Sequence, residues 1–160
     1  MSILLTSPAF EDGMPIPKQY AAEPEGRNVS PPLSWTGIPD GTKELALLCE
    51  DPDAPMGTWI HWVIYKIPST ATGLPEGVAK DKRLKDPKGV FQGKNSWPSG
   101  QTIGYRGPLP PPGGPHRYFF RLFALEAHLV VQPGLAWDVL VQDVAGHVVE
   151  EGQLMGIYER

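Results

Sequence analysis

The fold of this chain is decided by residues 43–68, "KELALLCEDPDAPMGTWIHWVIYKIP", in which two apolar runs flank a polar turn rich in proline. The first run, residues 43–51, has five successive apolar residues and is short for a helix, so it predicts a central strand buried on both faces. The second run, residues 58–68, alternates aromatic and β-branched residues and predicts a second two-faced strand. One predicted face carries Trp59, His61, Val63 and Tyr65, and the other carries Ile60, Trp62 and Ile64.

Other segments extend this pattern. The segment "HRYFFRLFALE", residues 116–126, alternates in the same way, which puts His116, Tyr118, Phe120 and Leu122 on one face and Phe119 and Phe123 on the other. Weaker strands are predicted at residues 3–7 and 148–158. One helix is predicted in "LAWDVLVQDVAG", with apolar Leu135, Val139, Leu140 and Val144 along one side and Gly146 at its end. The sequence therefore predicts an all-β protein, a β-sandwich of two antiparallel sheets with one or two short accessory helices, in a single domain over residues 1–160.

The amino-acid composition argues against several classes of protein. The chain has 19 Pro and 18 Gly, but a hydrophobic fraction of 41% and the placement of these residues between apolar runs indicate turns rather than disorder. A net charge of −4 without a basic stripe argues against a nucleic-acid partner. The start "MSILLTSPAF" has no positively charged segment and only a brief apolar patch, so we expect a cytoplasmic protein without membrane insertion. The single Cys49 lies in an apolar run, as a core residue would.

Polar residues stand at the ends of the predicted core strands. They are Asp51 and Asp53 in "DPDAP", His61, and His116 with Tyr118. Each has an ordinary structural explanation, because Asp before Pro often caps a turn and a strand histidine is often a hydrogen-bonded core residue. Asp51 and Asp53 are, however, two residues apart, and so are His116 and Tyr118. If strand geometry extends to them, the side chains of each pair point in the same direction. Glycines at positions 104, 107, 113 and 114 would let backbone N–H groups approach an anion.

These motifs, "DPDAP", "TWIHWV" and "GYRGPLPPPGGPHRY", together with the upstream "NVSPPLSW", make the chain resemble the phosphatidylethanolamine-binding protein family, also called Raf kinase inhibitor-like proteins. The resemblance is to its bacterial and archaeal branch and runs from Asn28 to the end. It implies a β-sandwich with a small anion-binding pocket at one end and cis prolines nearby, for which Ala54-Pro55 is the candidate. By motif matching, it implies the ligand-binding residues Asp51, Trp59, His61, Gly107, His116 and Tyr118, and the pocket-wall residues Asp53, Pro55 and Pro108. The segment "PLPPP", residues 108–112, leads through two glycines into a predicted strand, so it is expected to form pocket wall and not a polyproline ligand for a partner.

The function expected from this resemblance is non-enzymatic binding of small anions or phosphoryl head groups, such as phosphate or phosphoethanolamine. Because Asp51 would repel an anion, either the ligand or the pocket must carry a proton, or a ligand cation must lie against the carboxylate. Binding of simple phosphate is therefore expected to strengthen as the pH falls from about 8 to 5, where histidine takes up protons. No cofactor and no metal are expected.

Two alternatives remain. Some members of the family inhibit proteases or kinases, so the domain could instead be a protein-interaction module with a protease or kinase as its partner. A hydrolase or metalloenzyme is the other alternative, because Asp51, Asp53, His61 and His116 have side chains that can bind metal or transfer protons. Neither an HExxH nor a GxSxG motif occurs, which argues against it. A homodimer is the assembly to test.

Overall fold

The computed structural model describes residues 2–160, which form two antiparallel β-sheets with two short helical segments. The smaller sheet has the order β1-β2-β5 and the larger the order β6-β4-β3-β7-β8. The strands are β1 (Leu4–Thr6), β2 (Leu33–Thr36), β3 (Glu44–Asp51), β4 (Trp59–Pro68), β5 (Gly73–Leu74), β6 (Phe91–Gln92), β7 (His116–Leu125) and β8 (Val148–Tyr158). A 3-10 turn spans Lys18–Tyr20, and helix α1 spans Trp137–Val144. The predicted all-β sandwich with short helices is confirmed.

The central strand β3 has apolar side chains buried on both of its faces. One face belongs to the core between the two sheets, where Leu47 lies in the same cluster as Leu33 and Trp35 of β2. The other face belongs to a second cluster, in which Leu48 packs under α1 through Leu140. The large sheet is therefore the middle layer between the small sheet and α1, and this arrangement accounts for the unbroken apolar run in β3.

The helix is shorter than the sequence indicates. It ends at Val144, two residues before Gly146, and begins after Leu135. Of the apolar residues on its predicted side, Leu140 and Val144 are buried, whereas Val139 is 49% exposed. Residues four apart stack on one helix face, and a helix of only two turns contacts the sheet through that single row.

Two bulges in β4 change which face its residues occupy. The pairing of β3 with β4 shifts between Leu45 and Leu47 and again between Cys49 and Glu50, and each shift places one extra residue on β4. An extra residue reverses the alternation of side chains beyond it. Ile60 therefore packs against the outer cluster, whereas His61 turns towards Tyr118 on the other side. The predicted faces were wrong at this end of β4, because strict alternation assumes that no bulge occurs.

The predicted cis bond at Ala54-Pro55 was also wrong. The cis peptide bonds are Glu23-Pro24 and Asp86-Pro87. Residues 54–57 instead form a turn in which the N–H of Gly57 donates to the carbonyl of Ala54 at 3.1 Å. Gly57 adopts a φ of 107°, which a residue with a side chain rarely does. The chain therefore changes direction at this glycine. Within residues 2–160, no helix has the length and apolar character needed to cross a bilayer.

The buried hydrogen bonds of Gln92 are expected to contribute to the stability of the core, and mutation can test this. It is fully buried, its Oε1 accepts a hydrogen bond from the indole N–H of Trp62 at 2.8 Å, and its Nε2 donates to the carbonyls of Ala79 and Asp81. Gln92→Leu would leave these three groups without a partner, and we expect it to lower the free energy of unfolding by about 3–5 kcal/mol in urea denaturation. The control Gln142→Leu, on the exposed face of α1, should change it by about 0.5 kcal/mol or less. Equal stability of the two variants would contradict this account.

Candidate functional site

A cavity of about 240 Å³ opens where β3 ends and β4 and β7 begin. Antiparallel pairing puts Asp51 opposite Trp59 at this end of the larger sheet. The side chains of Asp51, His61, His116 and Tyr118 form the polar part of its lining. The apolar part comes from loops and from the start of β4: Ala54, Pro55, Met56, Trp59, Trp97, Leu109, Pro110 and Pro111.

The structure brings most of the residues predicted for the site together. Asp51, Trp59, His61, His116, Tyr118 and Pro55 line the cavity, and Asp53, Gly107 and Pro108 do not. Sequence reasoning missed Trp97, which stands in a loop without any motif or spacing that points to a site. Residues 109–111 belong to the segment "PLPPP" that was predicted to form pocket wall, and they line the cavity.

Asp51 and His116 form a hydrogen-bonded pair in the cavity. Nδ1 of His116 lies 2.7 Å from Oδ2 of Asp51, and Oδ1 of Asp51 accepts the backbone N–H of Asp53 at 2.8 Å. The two side chains are 13% and 4% exposed. With Asp51 ionised, Nδ1 of His116 carries the proton of this bond, because a carboxylate can only accept. Nε2 of His116 has no hydrogen-bond partner among residues 2–160, so it is left for a ligand.

Asp53 does not share the direction of Asp51, because β3 ends at Asp51 and strand geometry stops there. Its carboxylate accepts three hydrogen bonds at 2.9 Å from Arg117, two from the guanidinium and one from the backbone N–H. The side-chain hydrogen bond from Arg117 is the main cause that lowers the pKa of Asp53 to about 2. Asp53 therefore ties the turn after β3 to the start of β7 and shapes the site from outside the cavity.

His61 occupies the bulge at the start of β4 and is buried. Its Nδ1 lies 2.7 Å from the carbonyl oxygen of Arg106, so Nδ1 must carry the proton. Burial lowers the pKa of His61 to about 4, which keeps the ring neutral at physiological pH. The ring stands edge-on to Trp97 and to Tyr118, with centroid distances of 5.1 and 5.0 Å.

Aromatic residues form a rigid wall beside the polar pair. Burial, and next the negative charge of Asp51, raise the pKa of the Tyr118 hydroxyl, so this group stays protonated and can donate to a ligand. Trp59 packs edge-on against Trp97 at 5.5 Å. The guanidinium of Arg106 lies 4.7 Å from the ring centre of Trp97, a cation–π contact that helps to fix this ring.

Gly107 and Pro108 lie behind the cavity. The N–H of Gly107 donates to Oδ1 of Asn28 at 2.8 Å, and the carbonyl of Pro108 accepts the N–H of Ala22. A Cβ at Gly107 would lie 2.0 Å from the carbonyl oxygen of Tyr20. The glycine is thus required for close packing of this segment against residues 20–22. Across residues 2–160, no group of three or more His, Cys, Asp or Glu side chains is placed to hold a metal ion.

Comparison with known proteins finds similar sequences and similar structures. The family model described as "Phosphatidylethanolamine-binding protein" matches residues 6–159. A "UPF0098 protein" of Methanothermobacter thermautotrophicus is 49% identical over 156 residues, which are 98% of each chain. Among solved structures, a phosphatidylethanolamine-binding protein homologue from Chlamydia trachomatis is similar with a TM-score of 0.86 at 36% identity, over 99% of this chain and 98% of that one. Escherichia coli YbcL, described as a member of the mammalian family, is similar with a TM-score of 0.90 at 30% identity, over 100% and 99%.

His61 predicts a pH dependence of stability. Its pKa is about 4 in the folded chain and about 6.5 when unfolded, so the unfolded state binds more protons between these values. The stabilisation is present above pH 6.5 and is lost as the pH falls towards 4, by up to about 3 kcal/mol. We expect His61→Phe to reduce the slope of unfolding free energy against pH in this window, by chemical denaturation at several pH values.

The control is His147→Phe, since 43% of this side chain is exposed to solvent, in contrast to the buried His61. It should leave the slope close to that of the unmodified chain. A slope that His61→Phe leaves unchanged would contradict the buried neutral imidazole.

Proposed function

The chain belongs to the phosphatidylethanolamine-binding protein family, and we propose that its cavity binds small phosphate-like anions or phosphoryl head groups without turning them over. The observation that carries this proposal is the pair formed by Asp51 and His116, which fixes the imidazole through Nδ1 and leaves Nε2 for a ligand. When His116 takes up a proton, the pair is neutral as a whole, and Nε2–H becomes a charged donor for a phosphoryl oxygen. The hydroxyl of Tyr118, held protonated, is a second donor in the same cavity.

The size and wall of the cavity favour a small ligand. A volume of about 240 Å³ lies slightly below the usual range of about 300–1,000 Å³ for ligand pockets. The wall is made of Trp59, Trp97 and prolines, which can pack against the carbon atoms of a head group or against an ammonium group. Such a site suits phosphate or phosphoethanolamine and has no room for acyl chains.

The side chains that line the cavity favour binding over catalysis. They include no serine, cysteine, threonine or lysine that could act as a nucleophile. The thiol of Cys49 lies in the core, where burial raises its pKa well above the ordinary value. Both oxygens of Asp51 are engaged in hydrogen bonds, so this carboxylate orients His116 instead of activating water.

Inhibition of a protease or kinase is a second candidate function, and Met56 is the observation that favours it. This side chain is 93% exposed at the rim of the cavity, in the turn after β3. An exposed apolar side chain on a turn held by Asp53 and Arg117 could contact a protein partner. Met56→Ser would weaken such a contact. The cytoplasmic location and the homodimer stay predictions from the sequence.

Calorimetric titration tests the anion site. Phosphate and phosphoethanolamine are titrated into the unmodified chain, His116→Ala and the exposed control His147→Ala, at pH 5.5 and pH 8. We expect binding to be tighter at pH 5.5, because a shared proton removes the repulsion between the ligand and Asp51. His116→Ala should weaken it about tenfold or more, since it removes a charged hydrogen bond. Equal affinity in the two variants, or a flat pH profile, would contradict the proposal.

A further inference from the structure

A second cavity, of about 380 Å³, lies at the opposite end of β3 and β4 and carries a basic lining. Three lysines and a histidine contribute to it: Lys43, Lys66, Lys88 and His128. We propose that this cavity binds a small polyanion, of the class of phosphate compounds with two or more negative charges. The proposal does not depend on the function of the first cavity, from which the length of β4 separates it.

Lys66 is held in a defined position at this site. Its Nζ donates to Oε2 of Glu44 at 2.9 Å and to the carbonyl of Leu129 at 2.6 Å. A lysine ammonium has three N–H groups, so one remains for a ligand. Glu44 is 5% exposed, and its other oxygen accepts the N–H of Leu129 at 2.9 Å. The single carboxylate at the site is therefore engaged within the protein.

The charge balance of the cavity favours an anion. Glu44 offsets Lys66, which leaves the positive charges of Lys43 and Lys88 at the exposed rim. The side chain of His128 is 71% exposed and lies 3.4 Å from Glu44, so it adds a further charge when protonated. The chain as a whole has a net charge of −4, so this end is a local region of opposite sign. Lysines gathered around a concavity raise the local concentration of anions.

The backbone at Lys66 adds an independent observation. Lys66 has a φ of 57°, in the left-handed region that residues other than glycine and asparagine avoid. It lies in the bulge between Ile64 and Ile67. Such backbone outliers cluster at functional sites, and bulges re-aim side chains beside them. The bulge at the start of β4 directs His61 into the first cavity. The bulge near the end of β4 likewise directs Lys66 into the second cavity.

The remaining lining defines the size and polarity of the ligand. Ser69, Thr70 and Gly89 border the cavity and supply neutral hydroxyl and backbone donors. A volume of about 380 Å³ lies within the ordinary range for small-molecule pockets. A concave site of this size fits a compact ligand with several anionic oxygens, such as pyrophosphate.

The test is a titration of the isotope-labelled full chain with pyrophosphate at constant ionic strength. Its readout is the position of the backbone amide signals in NMR spectra. We expect the signals of Ser69, Thr70 and Gly89 to follow one saturable curve. Lys88→Ala should weaken the affinity for pyrophosphate about tenfold, because it removes a charged contact with the ligand. Lys85→Ala is the matched control, since Lys85 is exposed on the same loop but does not line the cavity.

Three outcomes would overturn the proposal. They are equal shifts with chloride in place of pyrophosphate, equal affinities of the Lys88→Ala and Lys85→Ala variants, and shifts confined to the first cavity around Tyr118. Repeating the titration with His116→Ala separates the two sites, because this change should leave the signals of Ser69, Thr70 and Gly89 on the same curve. Failure at this site would leave the proposal for the first cavity intact.

Discussion

The pairing of β3 with β4 is the constraint on which the rest of the structure depends. β4 has ten residues and β3 has eight, and the two additional residues are taken up by the two bulges. β3 is buried on both faces, so neither strand can slide to remove the mismatch without moving apolar side chains into water. The bulges are therefore fixed in place, one near each end of β4, and each lies next to a cavity.

In and beside the first cavity, the ionisable groups have separate roles that follow from their surroundings. His61 is neutral because it is buried against the carbonyl of Arg106, and Tyr118 remains protonated because it is buried beside Asp51. Asp53 is committed to Arg117 and stays ionised. The pair of Asp51 and His116 is held by its own hydrogen bond, which leaves Nε2 of His116 without a protein partner among residues 2–160. This division explains why so many ionisable groups are compatible with a cavity whose wall is largely apolar.

The sequence predicted the strands well and the site in part. Apolar runs and alternation located β3, β4 and β7 within a residue or two. Strands that are buried on both faces are rich in apolar residues, and this enrichment is visible in the sequence. Alternation could not reveal the bulges, since an extra residue is a property of pairing between two strands. The glycine at position 107 was predicted to present its N–H to an anion, but the N–H bonds Asn28, a long-range contact that no local pattern encodes. Trp97 was missed for the same reason: its place in the cavity is set by packing against Trp59 and Arg106.

The clamp between Asp53 and Arg117 has a consequence for how a ligand is received. It joins the turn after β3 to the first residues of β7, the two segments that carry Asp51 and His116. Together with the edge-on contacts of Trp97 with Trp59 and His61, it holds two sides of the cavity in one arrangement. A ligand of the kind proposed above would then require little ordering of the protein, so a few contacts could suffice for affinity.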